Sequence, residues 1–345
     1  MHPPVTVRDI ARKCGLHFTT VALALRNSPK VAPATRARIR ALATRMGYRP
    51  NPLVSALMAQ KRSQRKSDQA SVLAHVSFSA PDHRPAPNSF EAEYLAGARQ
   101  RAYEMGYHLE TFHLHPSGLN APRLAQILRT RAIPGMLLGS ARGSMGHLPR
   151  PLYEFVSIAL AHSIIRPGLH RVSHNHCHGS MLACRALWRK GYRRIGLVLT
   201  RLMDVRLGRL WTAGYLAYHE GRPEAFRCAP LYLPVTEFPQ STSSHEFPHR
   251  KLLSWVRREE PDVVLTMHLP VKKWLEENAA SLPRKVDIAS LDYSPEWGSV
   301  PGVFQKPRFL GREAISFLVG QIQSNQSGIP DQPLSLMIDG DWHEP

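Results

Sequence analysis

Apolar residues near the start of the chain recur at the spacing of short amphipathic helices. A first helix is predicted after Thr6, a good N-cap, and ends at Gly15. The stretch FTTVALALRN, residues 18–27, predicts a second helix. The residues expected to face a common core are Val7, Ile10, Ala11 and Cys14 from the first helix and Val21, Ala22 and Leu25 from the second.

A third helix is predicted after the loop NSPKVAP, because Pro33 suits a first helical turn. It ends at Gly47, buries Ile39, Leu42, Ala43 and Met46, and presents Arg36, Arg38, Arg40 and Arg45 outward. Two helices joined by a tight turn that contains glycine, followed by a third helix, form the helix-turn-helix pattern.

The segment YRPNPLVSALMAQKR predicts a separate short helix. Pro50 and Pro52 prevent the third helix from continuing, while Asn51 is a good N-cap for a new helix from Leu53 to about Ala59. Two turns are too few for stability in water, so this helix needs a partner surface. An ordinary amphipathic connector that packs on the rest of the protein is the alternative.

From about Ser71 onward, apolar strand patterns alternate with helical ones. The predicted strands include VLAHVSFS, HLETFHL, GMLLGS, YEFVSIAL, RRIGLVLT, PDVVLTM and VDIASLDY. The predicted helices include EAEYLAGARQRAYEMGY, APRLAQILRTR, HGSMLACRALWRKGY and GREAISFLVGQIQ. This alternation is typical of parallel sheets, and the length of the segment allows two of them.

The positive charge is concentrated at the start of the chain. Residues 1–67 hold 14 Lys or Arg against one acid, Asp9, within a chain of 345 residues and net charge +19. Such asymmetry favours a basic module that binds nucleic acid or a membrane surface, joined to an ordinary globular body.

Other features narrow the class of protein. The four cysteines form no CxxC pair, so neither a disulfide framework nor a zinc ribbon is predicted. Neither a signal peptide nor a run of 18 apolar residues is present. We therefore expect a cytoplasmic protein with no membrane partner.

Several segments together resemble the lac repressor (LacI/GalR) family of bacterial transcription regulators. They are VTVRDIARKCGL, TTVALALRNSPKVAPATRARIRALATRMGYRPNP, RKGYRRIGLVL, AGYLAYH, PDVVL, ASLDYS and GREAISFL. The first 58 residues carry the specific part of the resemblance, because the helix-turn-helix, third helix and YRPN segment occur together and in order.

The resemblance implies a multidomain fold and a set of partners. An all-α helix-turn-helix headpiece would span residues 1–50, and a hinge helix with its linker residues 51–70. Residues 71–345 would form an α/β core like periplasmic binding proteins, with two flavodoxin-like subdomains. The implied partners are double-stranded DNA with a near-palindromic operator, a small-molecule effector such as a sugar, and a second copy in a homodimer. No cofactor is implied.

The family's DNA contacts carry over residue by residue. Phe18, Thr19 and Leu23 match its base readers. Positions expected to contact or orient DNA phosphates are Arg8, His17, Thr20, Lys30, Arg36 and Arg49. Leu57 matches the hinge leucine that wedges between base steps, with Leu53 and Val54 supporting the paired hinge helices. Leu23 replaces a common arginine and cannot read guanine bidentately, although apolar contact with a thymine methyl is open to it.

The effector positions depart further from the family pattern. Asp292 is retained, whereas Trp211 replaces an arginine, Met267-His268 replaces Asn-Asp, and His174-Asn175 replaces Asp-Asn. Two interpretations of Trp211 stay open. It could stack on a sugar ring, or it could fill the cleft of a regulator that has no ligand.

Rival functions have weaker support. The run His174, His176, Cys177 and His178, with His162 and His170 near, lacks recognised metal-ligand spacing, and we place it on a strand whose alternation separates neighbouring side chains. No enzyme motif is found, so no catalytic residue is predicted. A ligand-independent architectural DNA-binding protein and a small-molecule binding module with a vestigial headpiece remain as alternatives.

Overall fold

The computed structural model describes residues 5–25, 31–48, 71–140, 146–234, 249–324 and 326–344. The predicted hinge helix, with Leu53, Val54 and Leu57, therefore lies outside the described residues, as do Lys30 and Arg49.

The headpiece consists of three helices, α1 (Val7–Cys14), α2 (Phe18–Leu25) and α3 (Pro33–Arg45). Thr6 begins α1 through a capping box. The backbone N–H of Asp9 donates to the Thr6 hydroxyl at 3.3 Å, and the N–H of Thr6 donates to the Asp9 carboxylate at 2.9 Å. Gly15 ends the helix with a φ of 65°, so the predicted start and end of α1 are confirmed.

One small apolar cluster holds these helices together. Its buried members are Ile10, Ala11, Val21, Ala24, Val31, Ile39 and Ala43. The predicted inner face of α2 was partly wrong. Val21 is buried as expected, but Ala24 is the second buried residue, whereas Ala22 and Leu25 are half-buried. Ala24 follows Val21 by three positions, which keeps both side chains on one face.

The rest of the described chain alternates strands and helices. The strands are β1 (Ser71–Ser77), β2 (Tyr107–His113), β3 (Gly135–Leu138), β4 (Gly146–His147), β5 (Val156–Leu160), β6 (Ile164–Arg166), β7 (His170–His174), β8 (Ile195–Thr200), β9 (Leu231–Leu233), β10 (Val263–Thr266), β11 (Asp287–Ser290), β12 (Gly302–Phe304), β13 (Ser335–Ile338) and β14 (Asp341–His343). The helices are α4 (Phe90–Glu104), α5 (Ala121–Thr130), α6 (His176–Arg189), α7 (Arg201–Arg206), α8 (Leu210–Glu220), α9 (His249–Glu259), α10 (Leu269–Glu277) and α11 (Pro307–Gln323).

Twelve of these strands build two six-stranded sheets, which confirms the prediction of two parallel sheets, and β4 and β6 pair separately in a two-stranded sheet. The sheet of the N-terminal subdomain has the order β13-β7-β5-β3-β1-β2, and that of the C-terminal subdomain has the order β14-β12-β11-β10-β8-β9. All pairs in both sheets are parallel except β12 with β14. Each order reverses next to its first strand, as in flavodoxin-like folds, and such folds bind ligands beyond the carboxyl ends of their strands.

In the described residues the chain crosses between the subdomains three times, after β7, after β12 and between β13 and β14. Two of these crossings are bonded to each other. The N–H of Asn175 donates to the carbonyl of Ile338 at 2.9 Å, and the Asn175 amide donates to the Asp339 carboxylate at 2.8 Å. The crossings form the hinge of the two-subdomain core.

Helices α4 and α11 pack at backbone contact in the N-terminal subdomain. A Cβ placed on Gly311 would lie 1.9 Å from the Tyr94 carbonyl oxygen, and one on Gly97 would lie 1.9 Å from that of Arg308. Only glycine permits this approach, and it seals the apolar cluster that includes Leu95, Ala98 and Leu318.

Candidate functional site

The start of α2 presents an open surface for base contacts. Phe18 is 46% exposed and Thr19 is also exposed. Leu23 differs, because it is half-buried and packs against the headpiece core. Of the three predicted base readers, Phe18 and Thr19 are therefore exposed at the first turn of α2. Leu23 is partly covered by the core and partly exposed.

Two of the predicted phosphate contacts, His17 and Arg8, lie close to that turn. The His17 ring nitrogen Nδ1 lies 2.8 Å from the Thr19 hydroxyl, which ties the turn before α2 to its first residues. The guanidinium of Arg8 lies 6.0 Å from the centre of the Phe18 ring, at the limit of a cation–π contact. Thr20 and Arg36 are half-buried.

The described headpiece is strongly basic. Residues 5–25 and 31–48 carry seven Lys or Arg, and their one acid is Asp9. Asp9 is already engaged, because the Thr6 hydrogen bonds hold its pKa below the ordinary value and Arg12 lies 3.7 Å away. The positive field around α2 and α3 is therefore almost uncompensated, which favours an anionic partner.

A second candidate site lies between the subdomains. A cleft of about 820 Å³ is lined on the N-terminal side by Asn88, Ser89, Phe90 and Glu93. Its C-terminal side includes Met267, His268, Lys273, Asp292 and Tyr293. His268 and Asp292 follow β10 and β11 directly, at the carboxyl ends where this fold places ligand-binding groups.

The Asp292 side chain is partly exposed to the cleft, and its surroundings disfavour the charged form of its carboxyl. Its backbone N–H donates to the Ser290 hydroxyl at 3.1 Å, which fixes the turn after β11. The half-buried carboxyl faces the cleft, and burial raises its pKa to about 7. Asp292 can therefore donate or accept a hydrogen bond near neutral pH.

His268 is held as a neutral ring. Its Nε2 accepts a hydrogen bond from the backbone N–H of Thr200 at 3.1 Å, so the ring proton is on Nδ1. Burial lowers the pKa of His268 to about 3. His268 thus joins β8 to β10 and also forms part of the cleft wall.

The remaining predicted effector residues lie elsewhere. Trp211 is 2% exposed in the core of the C-terminal subdomain, so stacking on a ligand would require it to be uncovered. His174 is 5% exposed at the end of β7. Asn175 caps α6 by accepting from the N–H of His178 at 3.1 Å. The sequence placed these residues at the cleft, but the structure places them at and behind the hinge.

The strand predicted for the histidine run was also wrong beyond His174. Because Asn175 caps a helix, His176, Cys177 and His178 form the first turn of α6. Within the described ranges, no group of three or more His, Cys, Asp or Glu side chains is arranged to hold a metal ion.

Two features of the cleft region were missed from the sequence. Glu93 and Lys273 line the cleft, but no motif distinguishes them from surface residues, and Tyr293 also lines it beside Asp292 in the ASLDYS segment. Arg206 of α7 donates to the Ser140 hydroxyl at 2.6 Å and so links the two subdomains directly.

Comparison with known proteins finds a family similarity in the headpiece. Residues 6–51 match the family described as "Bacterial regulatory proteins, lacI family". The matched residues are α1 to α3 and the YRPN sequence that follows them, so the sequence similarity to this family lies in the headpiece.

Three relatives show how far the similarity extends. The HTH-type transcriptional regulator GalS of Salmonella typhimurium is 43% identical over 56 residues, which are 16% of each chain. The transcriptional regulator CelR in complex with cellobiose shares the fold over 98% of both chains, with TM-score 0.57 and 20% identity. The lac repressor dimer bound to operator and the anti-inducer ONPF shares the fold over 99% of this chain and 98% of that one, with TM-score 0.54 and 17% identity.

The sequence match covers about a sixth of GalS, so activity and partners do not transfer from it directly. The structural matches share the predicted architecture, a helical headpiece followed by an α/β core of two subdomains. None of the described helices has the length and apolarity that crossing a membrane requires.

Proposed function

We propose that this chain is a cytoplasmic, homodimeric, sequence-specific DNA-binding repressor without enzymatic activity, and that a small-molecule effector controls it. The observation that carries the proposal is the headpiece surface, where the exposed first turn of α2 lies within seven basic residues and one engaged acid. A recognition helix meets base edges with its N-terminal residues, and basic side chains bind phosphates. Two headpieces in a dimer fit a near-palindromic operator.

The exposed residues indicate how the operator is read. Phe18 and the methyl group of Thr19 suit apolar contact with thymine methyls, and the Thr19 hydroxyl can hydrogen-bond to a base edge. Leu23 has only part of its side chain available and cannot bind guanine bidentately. We therefore expect thymine methyls and DNA shape to contribute more to specificity than guanine hydrogen bonds.

The cleft supports an uncharged polar effector, such as a carbohydrate. Its wall combines the amide of Asn88, the hydroxyl of Ser89, the neutral ring of His268 and the Asp292 carboxyl with the aromatic side chain of Phe90. Such a mixture of apolar surface and a few directional polar groups is typical of small-molecule sites. Effector binding would shift the two subdomains relative to each other, and this movement would reposition the predicted hinge helix that contains Leu53, Val54 and Leu57.

Selection of binding sites from random DNA, followed by footprinting, tests the proposal. We expect a near-palindromic consensus whose protection falls steeply with log salt concentration, because phosphate contacts release counterions. Carbohydrates added as a panel should change the protection. Equal protection of all sequences would support an architectural protein instead. Absence of protection at modest salt would indicate a vestigial headpiece.

Asp292→Asn should change the pH dependence of stability. The folded-state pKa of Asp292, about 7, lies above its ordinary value of 3.8, so the folded chain binds more protons between these values. Asp292 therefore costs stability progressively as pH rises from about 4 to 7. The melting temperature of the asparagine variant relative to wild type should therefore be higher at pH 8 than at pH 5, as measured by differential scanning calorimetry.

Asp82→Asn provides the control, because Asp82 is exposed. The difference in melting temperature between Asp82→Asn and wild type should be the same at pH 5 and pH 8. An Asp292→Asn variant whose difference in melting temperature from wild type is the same at pH 5 and pH 8 would contradict the raised pKa of the Asp292 carboxyl in the cleft wall.

A further inference from the structure

Three imidazole rings meet where the chain crosses between the subdomains. His162 follows β5 and His174 ends β7, both in the N-terminal subdomain, while His176 begins α6 in the C-terminal subdomain. The ring centres of His174 and His176 are 5.8 Å apart, and those of His162 and His176 are 6.4 Å apart. We call these three residues the hinge histidines.

Apolar rings enclose the hinge histidines from both subdomains. Phe90 packs edge-on against His174 at 5.5 Å, and Trp211 packs edge-on against His176 at 4.7 Å. His174 and His176 are each 5% exposed. His174 and His176 therefore lie in an aromatic environment that excludes water while the hinge has this arrangement, and the half-buried His162 lies at its edge.

Most ring nitrogens of the cluster lack hydrogen-bond partners within the described residues. Nε2 of His162, both nitrogens of His174 and Nδ1 of His176 are buried without one. Of the other two ring nitrogens, Nδ1 of His162 lies 3.4 Å from the Arg171 guanidinium. Because arginine can only donate, Nδ1 of His162 accepts and the ring is neutral.

We propose that the hinge histidines form a proton-sensitive latch, which is closed while the three imidazoles are neutral and is forced open when they bind protons. The contacts across the hinge require uncharged rings, and separation of the subdomains would bring water to their nitrogens. The latch itself is independent of the proposed function. The latch also has a consequence for regulation, because acidification would shift the subdomain arrangement that positions the headpieces. This consequence rests on the proposed function as a DNA-binding repressor.

Burial and the neighbouring positive groups oppose protonation of the three rings, and they outweigh the nearby Asp339 carboxylate, which is bonded to Asn175 and lies 3.6 Å from Nδ1 of His178. Burial and Arg171 lower the pKa of His162 to about 4, and burial lowers that of His174 to about 3. Burial, His174 and His162 hold the pKa of His176 well below the ordinary value. The rings of Phe90 and Trp211 bring no ionised group, and the N-terminus of α6 adds its positive dipole end beside His176.

The direction of the pH effect follows from these shifts. In an open hinge the rings meet water and return to a pKa near 6.5. Above that value both arrangements hold neutral rings, and the closed latch keeps its full stability. As the pH falls below about 6.5, the open form binds protons that the closed form cannot, so the closed form loses stability.

Hydrogen–deuterium exchange of the full-length chain without ligand tests the latch. The reporter is the Asn175 amide, which the closed hinge protects through its bond to Ile338. Samples at pH 7.5 and 5.5 are compared after correction for chemical exchange. If the open rings titrate independently, each adds about tenfold to the open population at pH 5.5, and together up to about 1000-fold.

Substitutions make the expectation specific. His176→Phe keeps an aromatic ring against Trp211 and should reduce the pH effect by about tenfold. His162→Gln keeps an acceptor for Arg171 and should do the same if the first variant folds poorly. His108→Phe, at an exposed position of β2, is the control and should retain the wild-type response.

The outcomes separate the latch from the proposed function. Wild-type exchange that does not change with pH would overturn the latch, as would a His176→Phe or His162→Gln variant with the full wild-type pH response. Binding of the selected operator at pH 7.5 is measured on the same samples. If the chain binds the operator but its exchange does not depend on pH, only the latch is contradicted. If its exchange depends on pH but it does not bind DNA specifically, only the proposed function is contradicted.

Discussion

Ile39→Asp is expected to unfold the headpiece and abolish specific DNA binding while the two-subdomain core stays folded. Ile39 is fully buried in the cluster that joins α1, α2 and α3. A module of about 50 residues has a small free energy of unfolding. The cost of burying an unpaired carboxylate in its core is larger than that free energy. If fewer than about 1% of headpieces remain folded, operator affinity falls by at least about 100-fold. Titration of the selected operator measures this loss.

Ala41→Asp is the control that distinguishes the effect of an added negative charge on DNA binding from the effect of disrupting the headpiece core. Ala41 lies on the same helix and is exposed, so the variant adds an identical carboxylate without burying it. It should lose far less affinity than Ile39→Asp, and circular dichroism should show that its helices are retained. A folded headpiece in Ile39→Asp, or equal losses in both variants, would contradict the packing described for α3.

Gly311→Ala should destabilise the N-terminal subdomain severely for the addition of a single methyl group. The new Cβ would lie 1.9 Å from the carbonyl oxygen of Tyr94, which is backbone within α4 and cannot rotate away. The two helices would have to separate, which uncovers the cluster that includes Leu95 and Ala98. We expect a cost of about 3 kcal/mol or more, and melting lowered by about 5–10 °C in calorimetry.

Gly320→Ala is the matched control on the same helix. No atom lies within 4 Å of the Cβ that it would gain, so only the helix-forming advantage of alanine remains. It should raise stability by about 0.5–1 kcal/mol. Opposite signs for one substitution at two positions of α11 would establish the close packing, whereas similar effects would refute it.

Local signals predicted the headpiece well. Thr6 and Gly15 mark the two ends of α1 by their capping chemistry, and the apolar spacing in α3 places Ile39 and Ala43 in the core. In α2, six of the eight residues are alanine, valine, leucine or phenylalanine, so the pattern is nearly uniform. The sequence therefore could not distinguish Ala24 from Ala22 as the inward residue.

The cleft was less predictable, because it is made by elements distant in the chain. Asp292 and His268 could be placed there since each follows a buried strand whose carboxyl end opens toward the cleft. Trp211 could not, because its burial depends on how α8 packs against α6. The strand assigned to His176 was wrong because Asn175 caps a helix there.

The three crossings at the hinge impose an order on synthesis and folding. The N-terminal subdomain begins at β1 but needs α11 and β13, which emerge from the ribosome only after the strands β8 to β12 of the other subdomain. Until then the apolar face of α4 that α11 covers stays open. The subdomain that starts first is therefore completed late, and a chain that stops before Pro307 leaves that face without its cover.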